Sequence, residues 1–588
     1  LFIRISAALL ICLAASINCQ AARSGFYRVE QRNGVWWFIA PDGKPFFSNG
    51  VNVVTAGAAR ENYREDNPEY AAFRHYPDTA SWADATLSRL RAWNFNTIGG
   101  WSSDELHKRS AMPYTVVLHL GSAKYVPWGD LFGEDVEHAF DEAARHKIAS
   151  LKDDPKLLGY FTDNELGWWD DTIFFHFLNQ PRTNATRHVL LQLLRRHYAN
   201  DFARLRHDFN TGQARSFTAL EQLTLKPGGG GAKVIDKFIF LLAGRYYQLV
   251  HNAIRRYDAN HLILGDRFLG WYPQAVARAA KPYVDVISTN YGADWTDGQF
   301  SYFYLDSLHR LTGKPVLVTE YYICAMENRS GNRNSTAGFP VVQTQRERAA
   351  SFRTNLTAFA SLSYVVGAHW FQYFDEPQKG RSDGEDYNMG LVDINDRPYE
   401  ELTGAAASLR MDIIHANSVK AVRKARDLKI IPAATGKPED GLVSWNKQDS
   451  LIEPSANLPF ADLYACWDKE NLYLTVYAAD FFEPRLYERN VVPDSERMTW
   501  TIDLGAGKRP LEIRFGSDSK PTIVGADVSY KEWKSSTRFT LMVKLPASLL
   551  GKEQLRAGER LRLRSQLASH SRAEFMQWNQ ALSLGRSS

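Results

Sequence analysis

Eight times within its first 400 residues the chain repeats one unit: a short β-branched or aromatic run, ending in polar or aromatic residues and followed by a segment of helical pattern. The runs are Phe46–Asn52, Phe95–Trp101, Thr115–His119, Leu157–Glu165, Leu262–Asp266, Val284–Tyr291, Val316–Glu320 and Val365–Trp370. Between them, Trp82–Trp93 and Phe238–Tyr257 carry the apolar spacing of amphipathic helices. Alternation of this kind predicts parallel strands joined by crossover helices. Seven of the eight runs pass from an apolar body into a polar or aromatic C-terminal end. That asymmetry predicts an α/β protein built on a (β/α)8 TIM barrel, with a packed interior and its chemistry at the C-terminal rim. A doubly wound open sheet would want a Gly-rich phosphate turn after the first strand, and none is present. The long stretch between the fourth and fifth runs includes Pro227-Gly228-Gly229-Gly230-Gly231 and reads as an inserted subdomain or lid shaping a cleft, or as a structural excursion.

At 588 residues the chain has room for a second domain. After a helix-like stretch to Ala416 and the basic segment Lys420–Lys429, the texture changes to short alternating runs at Asn471–Tyr477, Met498–Asp503 and Phe539–Lys544, which predict an all-β sandwich. The expected division is 1–22, 23–418 for the barrel, 419–435 as linker and 436–588 for the sandwich. Arg4, the apolar run Ile5–Ala15 and the small residues Ala21 and Ala22 follow the order of a secretory signal, so a secreted or periplasmic protein is expected. Asn18 and Ser16 before Cys19 fit a lipoprotein signal poorly. No run approaches the length of a membrane span, so no integral membrane segment is expected. Cys324 and Cys466 fall in separate expected domains without a CxxC or Cys/His neighbourhood, which implies neither a disulfide framework nor structural zinc. The net charge is only +4 and scattered, giving no footprint for nucleic acid or anionic lipid. A neutral partner fits better, and 16 Trp among 13% aromatic residues suit flat apolar contacts to sugar rings.

Glu165 ends the fourth expected strand within Asp163-Asn164-Glu165-Leu166, and Glu320 ends the seventh within Val318-Thr319-Glu320-Tyr321-Tyr322. Far apart in sequence, they meet only through the fold. In a barrel the ends of strands four and seven face each other across the mouth, which places the carboxyl groups about 5 Å apart, the spacing of a retaining glycosidase. One carboxylate would attack the anomeric carbon while the other, with a raised pKa, protonates the departing oxygen.

The run Gly159-Tyr160-Phe161-Thr162-Asp163-Asn164-Glu165-Leu166-Gly167-Trp168-Trp169 resembles the acid/base region of the β-agarases of glycoside hydrolase family fifty, members of the large retaining barrel clan. The resemblance extends through Gly34-Val35-Trp36-Trp37 with Pro41-Asp42-Gly43, Trp93-Asn94-Phe95-Asn96-Thr97-Ile98-Gly99 and Gly367-Ala368-His369-Trp370-Phe371-Gln372-Tyr373. It continues into Gly380-Arg381, Asp383–Gly390 and Pro398-Tyr399, covering about residues 25–415. It implies a β-galactan substrate, release of short oligosaccharides, Glu165 as acid/base, Glu320 as nucleophile, and neither metal nor organic cofactor. Such agarases often carry an additional N-terminal module, whereas here the expected barrel follows the leader directly. They usually differ after the nucleophile, where this chain has Tyr321-Tyr322-Ile323-Cys324.

Asn164 is expected to bond the sugar 2-hydroxyl, and Tyr291 to hold Glu320 or to serve only as a packing aromatic. His119, His369 and Gln372 lie at strand ends as donors to sugar hydroxyls or as satisfied buried groups, and no second ligand sits at metal spacing. Trp370 is read as a stacking platform, with Trp101, Trp168, Trp169 and Trp295 on the same face, some of these as core instead. Asp383–Asn388 reads as a substrate-edge loop or a solvated charge run. In the C-terminal third, Cys466-Trp467-Asp468, Leu472-Tyr473-Leu474 and Asp494-Ser495-Glu496 ahead of Trp500-Thr501-Ile502-Asp503 resemble family-nine carbohydrate-binding modules, and a purely structural sandwich is the other reading. The leading function is an exported retaining β-glycosidase that cleaves a red-algal galactan such as agarose. The alternatives are a same-clan enzyme acting on another β-glycan and, from another class, a non-catalytic carbohydrate-binding protein.

Overall fold

The computed structural model describes residues 25–168, 172–270, 272–335, 339–418, 428–454, 460–479, 484–505, 507–516, 519–534, 538–569 and 574–586. The expected leader with Cys12 and Cys19, Trp169 and most of the expected linker lie outside them.

Nine short strands form one wholly parallel, curled sheet: β1 Ser48–Val51, β2 Thr97–Ile98, β3 Tyr114–Val117, β4 Leu157–Phe161, β5 Leu262–Ile263, β6 Phe268–Leu269, β7 Ile287–Asn290, β8 Val316–Tyr321 and β9 Val365–Trp370. Their order in space is β5-β4-β3-β2-β1-β9-β8-β7-β6. The two outermost strands are consecutive in the chain, so the curl brings both edges to the one connection Leu264–Arg267. Along it Leu264 donates its N–H to Tyr160 (2.8 Å) and Gly265 accepts from Thr162 (2.8 Å), while Arg267 donates to the Ser288 hydroxyl on the other side (3.0 Å). Each of the eight expected runs contains a strand; in the fifth only Leu262–Ile263 is one, and β6 lies just beyond the run.

Helices cover the outside because their sequences begin and end cleanly. Asp78 caps Thr79–Ala92 by accepting from Ser81 N (2.7 Å), Arg89 and Arg91 fall in its last turn, and Trp82, Leu87 and Leu90 are buried. Charge and cap both match the helix dipole. Helix Gln345–Ala360 opens on a capping box made by Thr344 and Glu347. Inside the sheet Ser48 bonds both Thr97 (2.8 Å) and the His369 ring (2.9 Å). The imidazole lies over Gly50, where an added Cβ would meet it at 2.5 Å, so that position has no room for a side chain.

An antiparallel ribbon, Arg28–Arg32, Val35–Ile39 and Pro45–Phe46, precedes the sheet. Tyr27 and Phe38 pack with Leu158, Leu262, Val286, Leu317 and Val366 near the strand N-termini, so this ribbon stops the end of the sheet remote from the expected chemistry. It accounts for Val35 and Trp36-Trp37, which the sequence marks only as a family motif.

The excursion between β4 and β5 is helical: Ile173–Leu178, Ala185–His197 and Phe202–Asp208, then a small hairpin (Phe209–Asn210 with Thr224–Leu225), then the 27-residue helix Gly231–Tyr257. The hairpin end reaches the C-terminal domain, where Gly228 N donates to Glu496 (2.6 Å) and Leu225 forms a bridge with Tyr487. It joins two parts of the molecule.

The C-terminal domain is β-rich. A six-stranded sheet runs Leu428–Ile431, Glu574–Leu584, Arg560–Ser569, Met498–Ile502, Leu511–Gly516, Ser519–Val524. A five-stranded sheet runs Leu451–Ile452, Ala461–Trp467, Asn471–Ala479, Arg538–Pro546, Ser529–Lys534. The Phe515 and Phe539 rings stack between them at 4.7 Å. Leu428–Ile431 corrects the expected linker 419–435, because it pairs in parallel with Ala581–Leu584 as an edge strand. Among the described residues no helix is long and apolar enough to cross a membrane.

Candidate active site

The C-terminal ends of β4, β5–β6, β7 and β8 bring five polar side chains together. Glu165 Oε1 accepts from Asn290 Nδ2 at 2.8 Å, and the same amide reaches Asn164 Oδ1 at 3.2 Å. Asn164 Oδ1 also accepts from Arg267 Nε (2.9 Å), while Arg267 Nη2 donates to Glu320 Oε1. The two glutamates are thus joined through Asn290, Asn164 and Arg267 by a continuous hydrogen-bonded chain.

Arg267 is fully buried and Glu320 keeps 12% of its side chain exposed. The guanidinium lies 4.3 Å from the Trp101 ring and 5.0 Å from the Phe161 ring. Such a seat suits a planar, weakly hydrated cation. Burial pushes the Glu320 carboxyl up to about 7, aided by the nearby Glu165 charge and opposed by Arg267. The same burial lowers Arg267 from its ordinary value.

Supporting contacts fix these strand ends. Asp163 accepts from Gly121 N (2.7 and 2.8 Å) and from the Tyr246 hydroxyl (2.7 Å), and Asp266 accepts from the adjacent Tyr247 (2.8 Å). Two successive tyrosines of the long helix therefore hold the residue before Asn164-Glu165 and the residue before Arg267. Burial raises Asp163 to about 7 and Asp266 to about 6. Asn52 ties further ends together, donating to Thr319 O (2.8 Å) and accepting from Gly100 N (2.9 Å). Trp101, His119, Glu165 and Arg267 all have left-handed backbone, with φ between 48° and 57°. That conformation is costly for residues with a Cβ and clusters at functional sites.

The other expected site residues divide. Trp101 and His119 line the rim half-buried, and Trp101 Nε1 donates to His119 Nε2 (2.9 Å), which leaves the imidazole proton on Nδ1. Burial lowers the His119 pKa, with Lys147 and Arg267 adding to it. Tyr291 does not hold Glu320 through its side chain: its hydroxyl donates to Asp294 (2.6 Å) beneath the C-terminal domain, and only its backbone N–H reaches Glu320 O (2.9 Å). Trp370 is no platform, being wholly buried with its indole N–H on Met389 O (2.8 Å). Trp168 is likewise buried, donating to Asp266 (3.1 Å), and Trp295 packs on Tyr464 and Tyr477 of the second domain. His369 is interior and neutral, its pKa lowered to about 3 by burial and Arg267. Gln372 is buried and donates to Glu376 (2.9 Å). Both of these polar groups serve the core instead of sugar hydroxyls. In Asp383–Asn388 the first three residues are exposed or half-buried, while Asp386, Tyr387 and Asn388 are buried.

Arg267 and Asn290 were not anticipated. Asn290 neighbours the expected Tyr291, and the strand pleat sends successive side chains to opposite faces. Its signal was the alternation of β7. Among the described residues no group of three His, Cys, Asp or Glu side chains is placed to hold a metal ion.

No family model matches the chain. It is 24% identical over 474 residues to Beta-agarase B of Vibrio sp. (strain JT0107), covering 66% of this chain and 48% of that protein. Beta-agarase A of the same strain is 26% identical over 467 residues, covering 66% of this chain and 45% of that protein. The chain therefore spans about half the length of the relatives it matches. A solved exo-beta-agarase superimposes with a TM-score of 0.56 at 22% identity over 68% of this chain and 66% of its own, a likeness of fold. In about two thirds of its length, then, the chain is a relative of the β-agarases that its sequence resembles.

Proposed function

We propose that the chain is a retaining β-glycosidase that hydrolyses the β-galactosidic bonds of a galactan such as agarose, with Glu320 as nucleophile and Glu165 as acid/base. The observation that carries this reading is the hydrogen-bonded chain from Glu165 to Glu320 at the C-terminal ends of parallel strands. We read β5 and β6 as two pieces of one fifth strand, which makes the curled sheet a (β/α)8 barrel and its rim the mouth of a cleft. Residues 23–418 then form the catalytic domain and the β-rich remainder a second one. Export, expected from residues 1–22, suits a polymeric substrate.

In the first step an oxygen of ionised Glu320 bonds to the anomeric carbon as the bond to the departing oxygen breaks, and Glu165 gives that oxygen its proton. In the second step Glu165 takes a proton from water, which displaces Glu320 and returns the anomeric centre to its original configuration. Arg267 favours the charged form of Glu320 before attack. Asn164, oriented by Arg267 and Asn290, is aimed at the sugar 2-hydroxyl.

Agarose digestion by the parent, Glu165→Gln and Glu320→Gln chains, with products followed by mass and anomeric configuration, tests the reading. Short oligosaccharides of retained configuration from the parent and near-complete loss in both variants are expected. Full activity in either variant, or an inverted product, overturns it. Cleavage of another β-glycan in place of agarose would keep the mechanism and replace the substrate.

A further inference from the structure

The second domain grips the rim that carries the site. Arg538, on the strand Arg538–Pro546, is buried and donates from Nη2 to the carbonyl of Gly270 at 2.8 Å. Its guanidinium carbon lies 5.3 Å from the Phe303 ring and 5.1 Å from the Tyr304 ring. Gly270 directly follows β6 and donates its own N–H to Asn290 O (2.8 Å). Tyr304 and Thr289 share a 2.6 Å hydrogen bond, and Thr289 donates on to Phe268 O (2.9 Å), so the ring under Arg538 is tied to both β6 and β7.

A second grip lies alongside. Tyr477 of the C-terminal domain donates to Asp294 Oδ1 (3.0 Å), while Oδ2 of the same carboxylate accepts from Tyr291 (2.6 Å) and Ser301 N (2.6 Å). Asp462 Oδ2 accepts from Tyr302 N (2.6 Å). These contacts converge on the segments that follow β6 and β7. Arg267, which bonds Glu320, directly precedes β6, and Asn290, which bonds Glu165, is the last residue of β7.

We propose that Arg538 is a positioning residue for the candidate site, acting through Gly270 and Tyr304, and that the C-terminal domain is thereby part of the catalytic unit. The inference rests on the functional reading above for its kinetic consequence, but not for its structural one. A tethered sugar-binding module changes the local concentration of enzyme on a polymer and leaves the chemistry on a small soluble substrate untouched. A positioning domain changes the chemistry on both, because displacements of about an ångström at reacting groups cost large factors in rate.

The test uses the full chain with Arg538→Met, Arg538→Lys and Tyr477→Phe, assayed on gelled agarose and on a short soluble agaro-oligosaccharide. Amide hydrogen exchange is read at Gly270 and Tyr291. Arg538→Met is expected to lower kcat about tenfold or more on both substrates with KM within threefold, and to speed exchange at both amides. Arg538→Lys, which keeps a donor for Gly270 O, is expected to recover part of kcat, and Tyr477→Phe to show a smaller loss of the same kind. If Arg538→Met does not fold, Tyr477→Phe carries the decision. A loss confined to the gel, or unchanged rates with unchanged exchange, overturns the proposal. If the parent cleaves neither agaro-oligosaccharide nor another β-glycan the functional reading fails, and the exchange measurement alone decides this one: faster exchange supports it and unchanged exchange overturns it.

Discussion

Arg267 donates to Glu320 from a position with no solvent contact of its own, so the carboxylate proposed as nucleophile has its counter-charge built into the fold. Removing one partner of such a pair leaves the other charge buried and costs roughly 3–5 kcal/mol.

For Arg267→Met, the Glu320 pKa is expected to rise above its parent value of about 7. Glu320 must be ionised to attack, so the acid limb of kcat/KM moves to higher pH and the rate at pH 6 falls by about 100-fold or more. The pH profile checks it, and an acid limb that stays in place refutes this role.

Glu165→Gln is expected to reduce kcat by about 10²–10⁴-fold on agarose, the usual worth of general acid catalysis. A substrate whose leaving group needs no proton narrows that loss, whereas Glu320→Gln stays inactive on both. Comparing one activated aryl glycoside with the natural substrate separates the two roles.

Trp101 and Trp370 are expected to behave oppositely. Trp370→Ala empties a site packed by Tyr321 and Phe352 (ring centroids at 5.2 and 5.3 Å) and destabilises by about 3–5 kcal/mol. Trp101→Ala, at the half-buried rim, raises KM about tenfold with a smaller stability change. Thermal unfolding together with steady-state kinetics distinguishes them.

Glu376 gives a stability prediction with a definite sign. Burial pushes its carboxyl up to about 8, partly offset by Arg381. A raised acid favours the fold fully below its free value and loses that contribution as pH climbs through the folded one. The melting temperature is therefore expected to fall from pH 5 to pH 8.5, with Asp163 and Asp266 acting in the same sense. Glu376→Gln keeps a neutral acceptor for Gln372 and is expected to flatten part of that slope.

Strand positions were legible because an apolar run with a polar end is dictated by burial of its body, as in Val316–Glu320. The break after the fifth run was not, since Leu262–Asp266 reads as one strand, whereas only Leu262–Ile263 pairs with β4 and the separate strand Phe268–Leu269 pairs with β7. Glu165 and Glu320 were legible as acids at complementary ends. Arg267 was hidden because a lone arginine after a strand is ordinarily solvated, and its burial depends on Trp101 and Phe161 from other strands. Trp370 misled because it ends a strand where a sugar-binding group belongs in sequence, while His369 fits the buried reading that the sequence also offered.

The left-handed torsions at Trp101, His119, Glu165 and Arg267 bear on any effort to make this protein tolerate heat. Those four sites already hold conformational energy that most replacements would inherit while losing the chemistry, so hardening belongs elsewhere, such as on the outer helices. Any gain there can be spent keeping the mouth as it is.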